Sequence, residues 1–266
     1  MRPQQVMLNT ARVEAWPGGL LRARANRDAR LLAGASHVFR RKRDGRYLAV
    51  ERDGALLPLQ PAFRHEPGLD AAMAALARSR LHRRPGLDAV PTLPLDRLHE
   101  RLEALGLDEA GYAGRTGLAL VAEPAWLALA GFDRYQRPLW LLAPAARAWQ
   151  QLQAAALRDG VVLEAISGYR SHDYQLGIFE RKLARGQTVD EILTVNAAPG
   201  FSEHHGGRAL DLGTPGEPAA EASFEATPAF DWLQANAGAY GFRLSYPRDN
   251  PHGITYEPWH WAYAGA

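Results

Sequence analysis

The stretch Ser202-Glu203-His204-His205-Gly206-Gly207-Arg208-Ala209-Leu210-Asp211 sets a histidine and an aspartate seven residues apart, with two glycines between them. On a loop entering a strand, glycine lets the backbone turn tightly, so that both side chains can meet one point. Leu210 and its neighbours suit the strand. Further on, Glu257-Pro258-Trp259-His260 puts a glutamate three residues before a histidine, where a final strand over 259–263 is expected. Two neutral imidazoles and one carboxylate (His204, Asp211 and His260) make a three-ligand zinc site with a fourth position open for water. A nearby carboxylate that is not a ligand can take a proton from that water, and Glu257 suits the role. Spacing alone leaves a second reading open, in which the histidines are structural and Glu257 caps a turn or pairs with an arginine.

Working outward, Pro144 fits the first turn of a helix running to about Arg158. That helix presents Ala145, Trp149, Leu152 and Ala156 on one face and ends at Asp159-Gly160. Residues 161–166 read as a strand and 172–185 as a helix. Thr188 with Glu191 reads as a capping box opening a short helix. A helix over 228–239 and a strand over 242–245 complete the pattern. Helices and strands mix without regular alternation, so the fold class is α+β. The expected catalytic domain is a small, mostly antiparallel sheet flanked by helices, beside a smaller N-terminal module of hairpins and helices.

In that module, Asp44-Gly45 and Asp53-Gly54 separate short apolar runs over 36–60 and predict a meander. Helices are expected over 69–81 and 95–105, with the proline-containing segment 82–94 as a loop. Glycines accumulate at 106, 111, 114 and 117, which suggests a boundary: residues 1–112 as a module of unknown role and 113–266 as the catalytic domain. The basic run Arg40-Arg41-Lys42-Arg43 reads as a solvated hairpin end. His37, His65, His82 and His99 lack ligand spacing and read as surface residues.

The chain has 266 residues, 47% hydrophobic and 23% charged, which is ordinary for a globular protein. Net charge is only +2, so no nucleic-acid partner is indicated. The absence of cysteine excludes disulfides, thiol nucleophiles and thiolate metal sites. No run approaches the ~20 apolar residues of a membrane span. The first thirty residues hold no apolar signal-peptide core. As written the chain reads as cytoplasmic.

Three ordered segments resemble the zinc D-alanyl-D-alanine carboxypeptidase and dipeptidase family, the group of the vancomycin-resistance peptidases and bacterial L,D-carboxypeptidases. Ser-x-His-x-x-Gly-x-Ala-x-Asp is met at Ser202, His204, Gly207, Ala209 and Asp211. Glu-x-Trp-His is met at Glu257, Trp259 and His260. Ser167-Gly168-Tyr169-Arg170-Ser171 follows the family's third segment, with Gln175 in its place after it. The likeness extends over about 116–266. It implies one Zn2+ per chain on His204, Asp211 and His260, with Glu257 as general base and acid. Arg170 is implied to bind a carboxylate or steady the oxyanion, with Gln175, Ser202 and Trp259 also on the substrate side. Tyr169 and Tyr246 are further candidates for the cleft, His252 for its mouth, and His205 for a place behind the ligands or at the surface. The implied activity is hydrolysis before a C-terminal D-amino acid, D-Ala first, of a peptidoglycan peptide or muropeptide. D,D-, L,D-, dipeptidase and endopeptidase specificities share the motifs. A non-catalytic zinc-containing module that binds cell wall or a partner is the alternative. The substrate points to the periplasm or cell envelope, so localisation stays open, as does oligomeric state.

Overall fold

The structure is a computed structural model that describes residues 5–23, 25–81 and 90–265. The first half opens with an antiparallel hairpin, β1 (Val6–Asn9) and β2 (Val13–Pro17), followed by helix α1 (Asn26–Leu32). The meander predicted from the two Asp-Gly pairs is present as β3 (His37–Arg41), β4 (Tyr47–Arg52) and β5 (Ala55–Pro58). Asp53 and Gly54 both have positive φ (51° and 79°), the backbone that matches a two-residue hairpin turn to strand twist. Helices α2 (Leu69–Leu81) and α3 (Asp96–Ala104) follow where periodicity placed them. Residues 82–89, with His82 and Pro85 of the expected loop, lie outside the described residues.

The glycine-rich stretch is a helix, α4 (Glu109–Thr116), capped by the Asp108 carboxylate accepting from Gly111 N. The boundary expected between 112 and 113 therefore falls inside a helix. Strands β6 (Trp126–Phe132) and β7 (Pro138–Leu141) then join the first sheet, whose order is β5-β4-β3-β2-β1-β6-β7. Val6 pairs with Ala128 and Leu8 with Trp126, so one sheet draws on both sides of that boundary.

The second half adds α5 (Ala143–Arg158), β8 (Glu164–Ser167), α6 (His172–Leu183), α7 (Val189–Leu193), β9 (Ala209–Gly213), α8 (Pro228–Asn236), β10 (Phe242–Leu244) and β11 (His260–Tyr263). Its four strands form an antiparallel sheet in the order β10-β11-β9-β8. The fold is thus α+β with antiparallel sheets. The expected strand over 161–166 is shifted, because pairing with β9 begins only at Glu164 opposite Gly213. The expected helix over 228–239 stops at Asn236, and a tight 3-10 turn (Ala237–Tyr240) finishes the segment. The capping box at Thr188 and Glu191 is present.

The expected apolar face of α5 buries Ala145, Trp149, Leu152 and Ala156 against Leu210, Leu212, Phe242 and Trp261. Burying a side chain the size of leucine stabilises by about 1.5–3 kcal/mol, so Leu152 and the larger Trp149 fix α5 against the second sheet. A separate cluster joins Leu98, Leu102 and Tyr112 to Phe201, Tyr246 and Ile254. Helices α3 and α4 thereby brace the loops that carry the motif residues. One reading of the basic run is corrected: Lys42 is 1% exposed, not solvated. Its ammonium pairs with the buried Glu123 and donates to Thr10 O, because a charge removed from water needs a partner of opposite sign.

Candidate metal and catalytic centre

Antiparallel register brings the two motifs together. His260 on β11 lies directly opposite Asp211 on β9, although forty-nine positions separate them. Opposed residues on one face of such a pair have Cβ atoms within about 5.5 Å. His204 arrives from the 3-10 turn Glu203–Gly206, capped by the Ser202 hydroxyl. Gly207 ends that turn at φ 65°, and a Cβ there would sit 2.9 Å from Leu142 N. Leu142 N donates to Gly207 O at 2.7 Å, so the close approach is used to pin the turn against α5. Only glycine satisfies both conditions.

His204, Asp211 and His260 converge, with one ligand atom from each lying within 4.8 Å of the others. His204 Nε2 is 3.2 Å and His260 Nδ1 3.3 Å from Asp211 Oδ1. The opposite ring nitrogens are already engaged. His204 Nδ1 donates to Gly168 O at 2.7 Å, and His260 Nε2 pairs with Glu203 Oε2 at 2.9 Å. Each ring therefore turns its other nitrogen inward, the orientation seen at metal-bound histidines. Two nitrogens and one oxygen, closely spaced, buried and without sulfur, fit a zinc ion.

The electrostatics agree. Burial, with Arg170 close by, pushes His204 down to about 4, so it is neutral at pH 7. Burial opposes ionisation of Asp211 as well, yet His204 and Arg170 hold its carboxyl well below the usual range. Burial also disfavours the charged form of His260, but Asp211 and Glu203 outweigh it and raise the imidazole to about 9. Glu257 lies 3.7 Å from His260 Nδ1, outside the ligand trio. Burial, helped by the negative Asp211 and Glu203, lifts its carboxyl to about 7. A carboxylate poised near neutrality beside a metal pocket is suited to moving a proton.

The remaining expected residues fall as follows. Arg170 donates through one terminal nitrogen to Asp211 Oδ2 at 3.2 Å, while its buried Nε has no partner. Gln175 is buried; its Nε2 donates to Ala197 O at 2.9 Å and its Oε1 is unpartnered. Ser202 is buried as the turn's cap. Trp259 packs, partly buried, against the main core with Trp261, as alternation about His260 dictates. The Tyr246 ring lies 4.8 Å from that of His260. His252 sits in a loop, its Nδ1 on Thr116 O. His65 and His99 are exposed, and His37 pairs with Glu51.

Glu203 and Glu123 were not read from the sequence as participants, and His205, expected behind the ligands or at the surface, is buried. Glu203 turns His260. Its exchange for glutamine is expected to weaken metal binding by about 10- to 100-fold, read by chelator competition. His205 is fully buried; its Nδ1 donates to Arg170 O, and its Nε2 accepts from Gly200 N. Glu123 accepts from Tyr169 OH and from His172 N, gripping the loop on both sides of Arg170. Lys42, just past the end of β3, and Asn9 on β1 also contact it. No local signal marks Glu123, since its partners are 46 to 114 positions away.

Comparison with known proteins places this site in context. Residues 139–266 match the family described as VanY: D-alanyl-D-alanine carboxypeptidase. YodJ of Bacillus subtilis (strain 168) is 35% identical over 144 residues, 50% of this chain and 50% of YodJ. The bifunctional D-Ala-D-Ala dipeptidase and D-Ala-D-Ala carboxypeptidase VanXYC of Enterococcus gallinarum is 33% identical over 54% of this chain and 76% of its own. Among solved structures, a vancomycin-resistance D,D-pentapeptidase VanY in complex with Zn(II) is 31% identical, with a TM-score of 0.40. That likeness covers 48% of this chain and 74% of the other. The chain spans about half the length of several curated relatives it matches.

Proposed function

The chain belongs to the D-alanyl-D-alanine carboxypeptidase family of VanY, and from that premise we propose that it is a zinc peptidase, one ion per chain, releasing a C-terminal D-amino acid from peptidoglycan peptides. The observation that carries this reading is the convergence of His204 Nε2, Asp211 Oδ1 and His260 Nδ1 with Glu257 alongside but outside the trio. When bound there, zinc would supply Lewis acidity and lower the pKa of a water towards ~7. Glu257 would accept that water's proton and return it to the departing amine. Arg170, held by the 204 turn and the Glu123 grip, would donate to the oxyanion as its charge develops. The family likeness assigns Gln175 and Ser202 to the substrate side as well. Such a substrate would place the working enzyme at the cell envelope. No helix among the described residues is long and apolar enough to cross a membrane.

The test is mass-spectrometric product analysis on stem-peptide substrates ending in D-Ala-D-Ala or in a single D-Ala after an L-centre, with and without chelator. Metal-dependent loss of one alanine is expected, and the substrate cleaved separates D,D- from L,D-specificity. Metal binding without any release of alanine would favour the binding-module alternative.

Metal binding should also expel protons. At pH 7 His204 is already neutral and Asp211 already ionised, so neither contributes. His260, raised to about 9, carries a proton that the metal must displace, and Glu257 adds a fraction. Calorimetry in buffers of different ionisation enthalpy should show about one to one and a half protons released per ion at pH 7. Affinity should fall as pH drops below about 9. Release near zero would mean that His260 is not a ligand.

A further inference from the structure

His205 follows a ligand candidate in the chain yet stands outside the metal trio. It is wholly buried, at 0% exposure. Its partners decide which ring nitrogen carries the proton. Gly200 N can only donate, so His205 Nε2 accepts from it, at 3.1 Å. The proton therefore sits on Nδ1, which donates to Arg170 O at 2.7 Å. Both nitrogens are thus engaged by backbone groups. A closed ring of contacts fixes the imidazole. Val121 N donates to Gly200 O at 2.7 Å, and His172 Nε2 donates to Val121 O at 2.8 Å. The His172 ring then meets the His205 ring edge-on, with centroids 4.5 Å apart.

Arg170 is where this arrangement acts. Its N–H donates to His204 O at 3.3 Å, while its C=O accepts from His205. Two consecutive residues of one 3-10 turn thereby hold both polar groups of the Arg170 backbone. The same turn brings His204 Nε2 to within 3.2 Å of Asp211 Oδ1, at the metal position. Among the described residues, His205 supplies the one side-chain bond to the Arg170 backbone; Glu123 acts on Tyr169 and His172 instead. An oxyanion held between metal and guanidinium is sensitive to the gap between them. A misplacement of about 1 Å can cost ~10²-fold in rate. Tying Arg170 to the turn that bears a ligand makes the two shift together or not at all.

We propose that His205 is a positioning residue, whose Nδ1 donor holds Arg170 at a set distance from the metal. The proposal rests on the peptidase reading above. Substitution can separate the two ring nitrogens. His205→Asn puts an amide N–H where Nδ1 stands and leaves Gly200 N without its acceptor. His205→Gln reaches the Nε2 position, keeps that acceptor and loses the donor to Arg170 O. Both lose the ring packing, so both should melt at lower temperature than the unsubstituted chain. The Gln variant alone is expected to lose kcat heavily, about 10- to 100-fold on a peptide ending in D-Ala-D-Ala, with zinc affinity nearly unchanged. Its affinity for a phosphinate mimic of the tetrahedral intermediate should fall in parallel. The Asn variant, which keeps the donor, should restore most of that kcat. Equal kcat losses in the two variants, or losses that follow zinc affinity, overturn the proposal. If neither variant folds, NMR couplings across the imidazole of the isotope-labelled, zinc-loaded full chain still decide. They should place the His205 proton on Nδ1, and a proton on Nε2 overturns the proposal as well. Absence of alanine release by the unsubstituted chain would instead be a failure of the peptidase reading.

Discussion

Glu257→Gln is expected to lower kcat on a peptide ending in D-Ala-D-Ala by about 10²- to 10⁴-fold, while zinc content stays at one ion per chain. Glutamine keeps the shape of the side chain and an acceptor oxygen, so the buried pocket need not collapse. It cannot take up a proton at neutral pH, so the step assigned to Glu257 is lost. The ligands His204, Asp211 and His260 are untouched, because Glu257 stands outside the trio. The pH profile gives a second signature. Burial lifts Glu257 to about 7 in the metal-free protein, and a nearby dication would favour its carboxylate form and lower that value. In the loaded enzyme activity should therefore fall through an acid limb below pH 7, and the limb should vanish in the variant. Equal alanine release by both proteins would remove Glu257 from the mechanism.

The second large effect lies away from the motifs. Lys42→Met is expected to cost about 3–5 kcal/mol of stability, because it leaves the Glu123 carboxylate buried without its cation. Denaturant unfolding would measure it. Adding Glu123→Gln to Lys42→Met should recover part of the loss, since the stranded charge goes with it. The pH dependence should change sign. In the unsubstituted chain burial opposes the Glu123 charge, yet Lys42 and His172 hold the carboxyl far below 4.5. A group so depressed adds stability above its unfolded value, which is lost as pH falls through the folded one. Without Lys42, burial dominates and the folded value rises, so the variant should gain stability relative to the original as pH falls towards 4.5. A loss below about 1 kcal/mol with unchanged pH dependence would show that the pair is not what holds this region. Glu123 also grips Tyr169 and His172, so kcat should fall further than zinc affinity does.

Much of this molecule was legible in its sequence, for local reasons. The meander at 37–58 follows from two Asp-Gly turns, which few other backbones accommodate. Helix α5 follows from a 3.6-residue apolar stripe opened by proline and closed by Asp159-Gly160. The trio His204, Asp211 and His260 was marked by the family likeness of its segments, since spacing alone left a structural reading of the histidines open. The strands β1, β2, β6 and β7 were not read: the turns of the β1–β2 and β6–β7 hairpins hold no Asp-Gly pair, and the pairing of β1 with β6 joins residues as far apart as Val6 and Ala128. Gly111 and Gly114 suggested a break, but the Asp108 cap and the burial of Tyr112 carry a helix through them.

The sequence by itself offered which residues could hold a metal and which carboxylate could move a proton, because side-chain type and short motifs name the candidates and the family likeness of those motifs chooses among them. Tertiary structure alone decided how they are aimed. Strand register sets His260 opposite Asp211, and Glu203 and Gly168 O choose the ring nitrogens that face inward. It also decided that the first sheet reaches the site, through Lys42 and Glu123 beneath Arg170 and through Trp16 and Arg40 beside it. Such couplings join residues many tens of positions apart. Only burial, which removes water as the competing partner, makes them strong enough to matter.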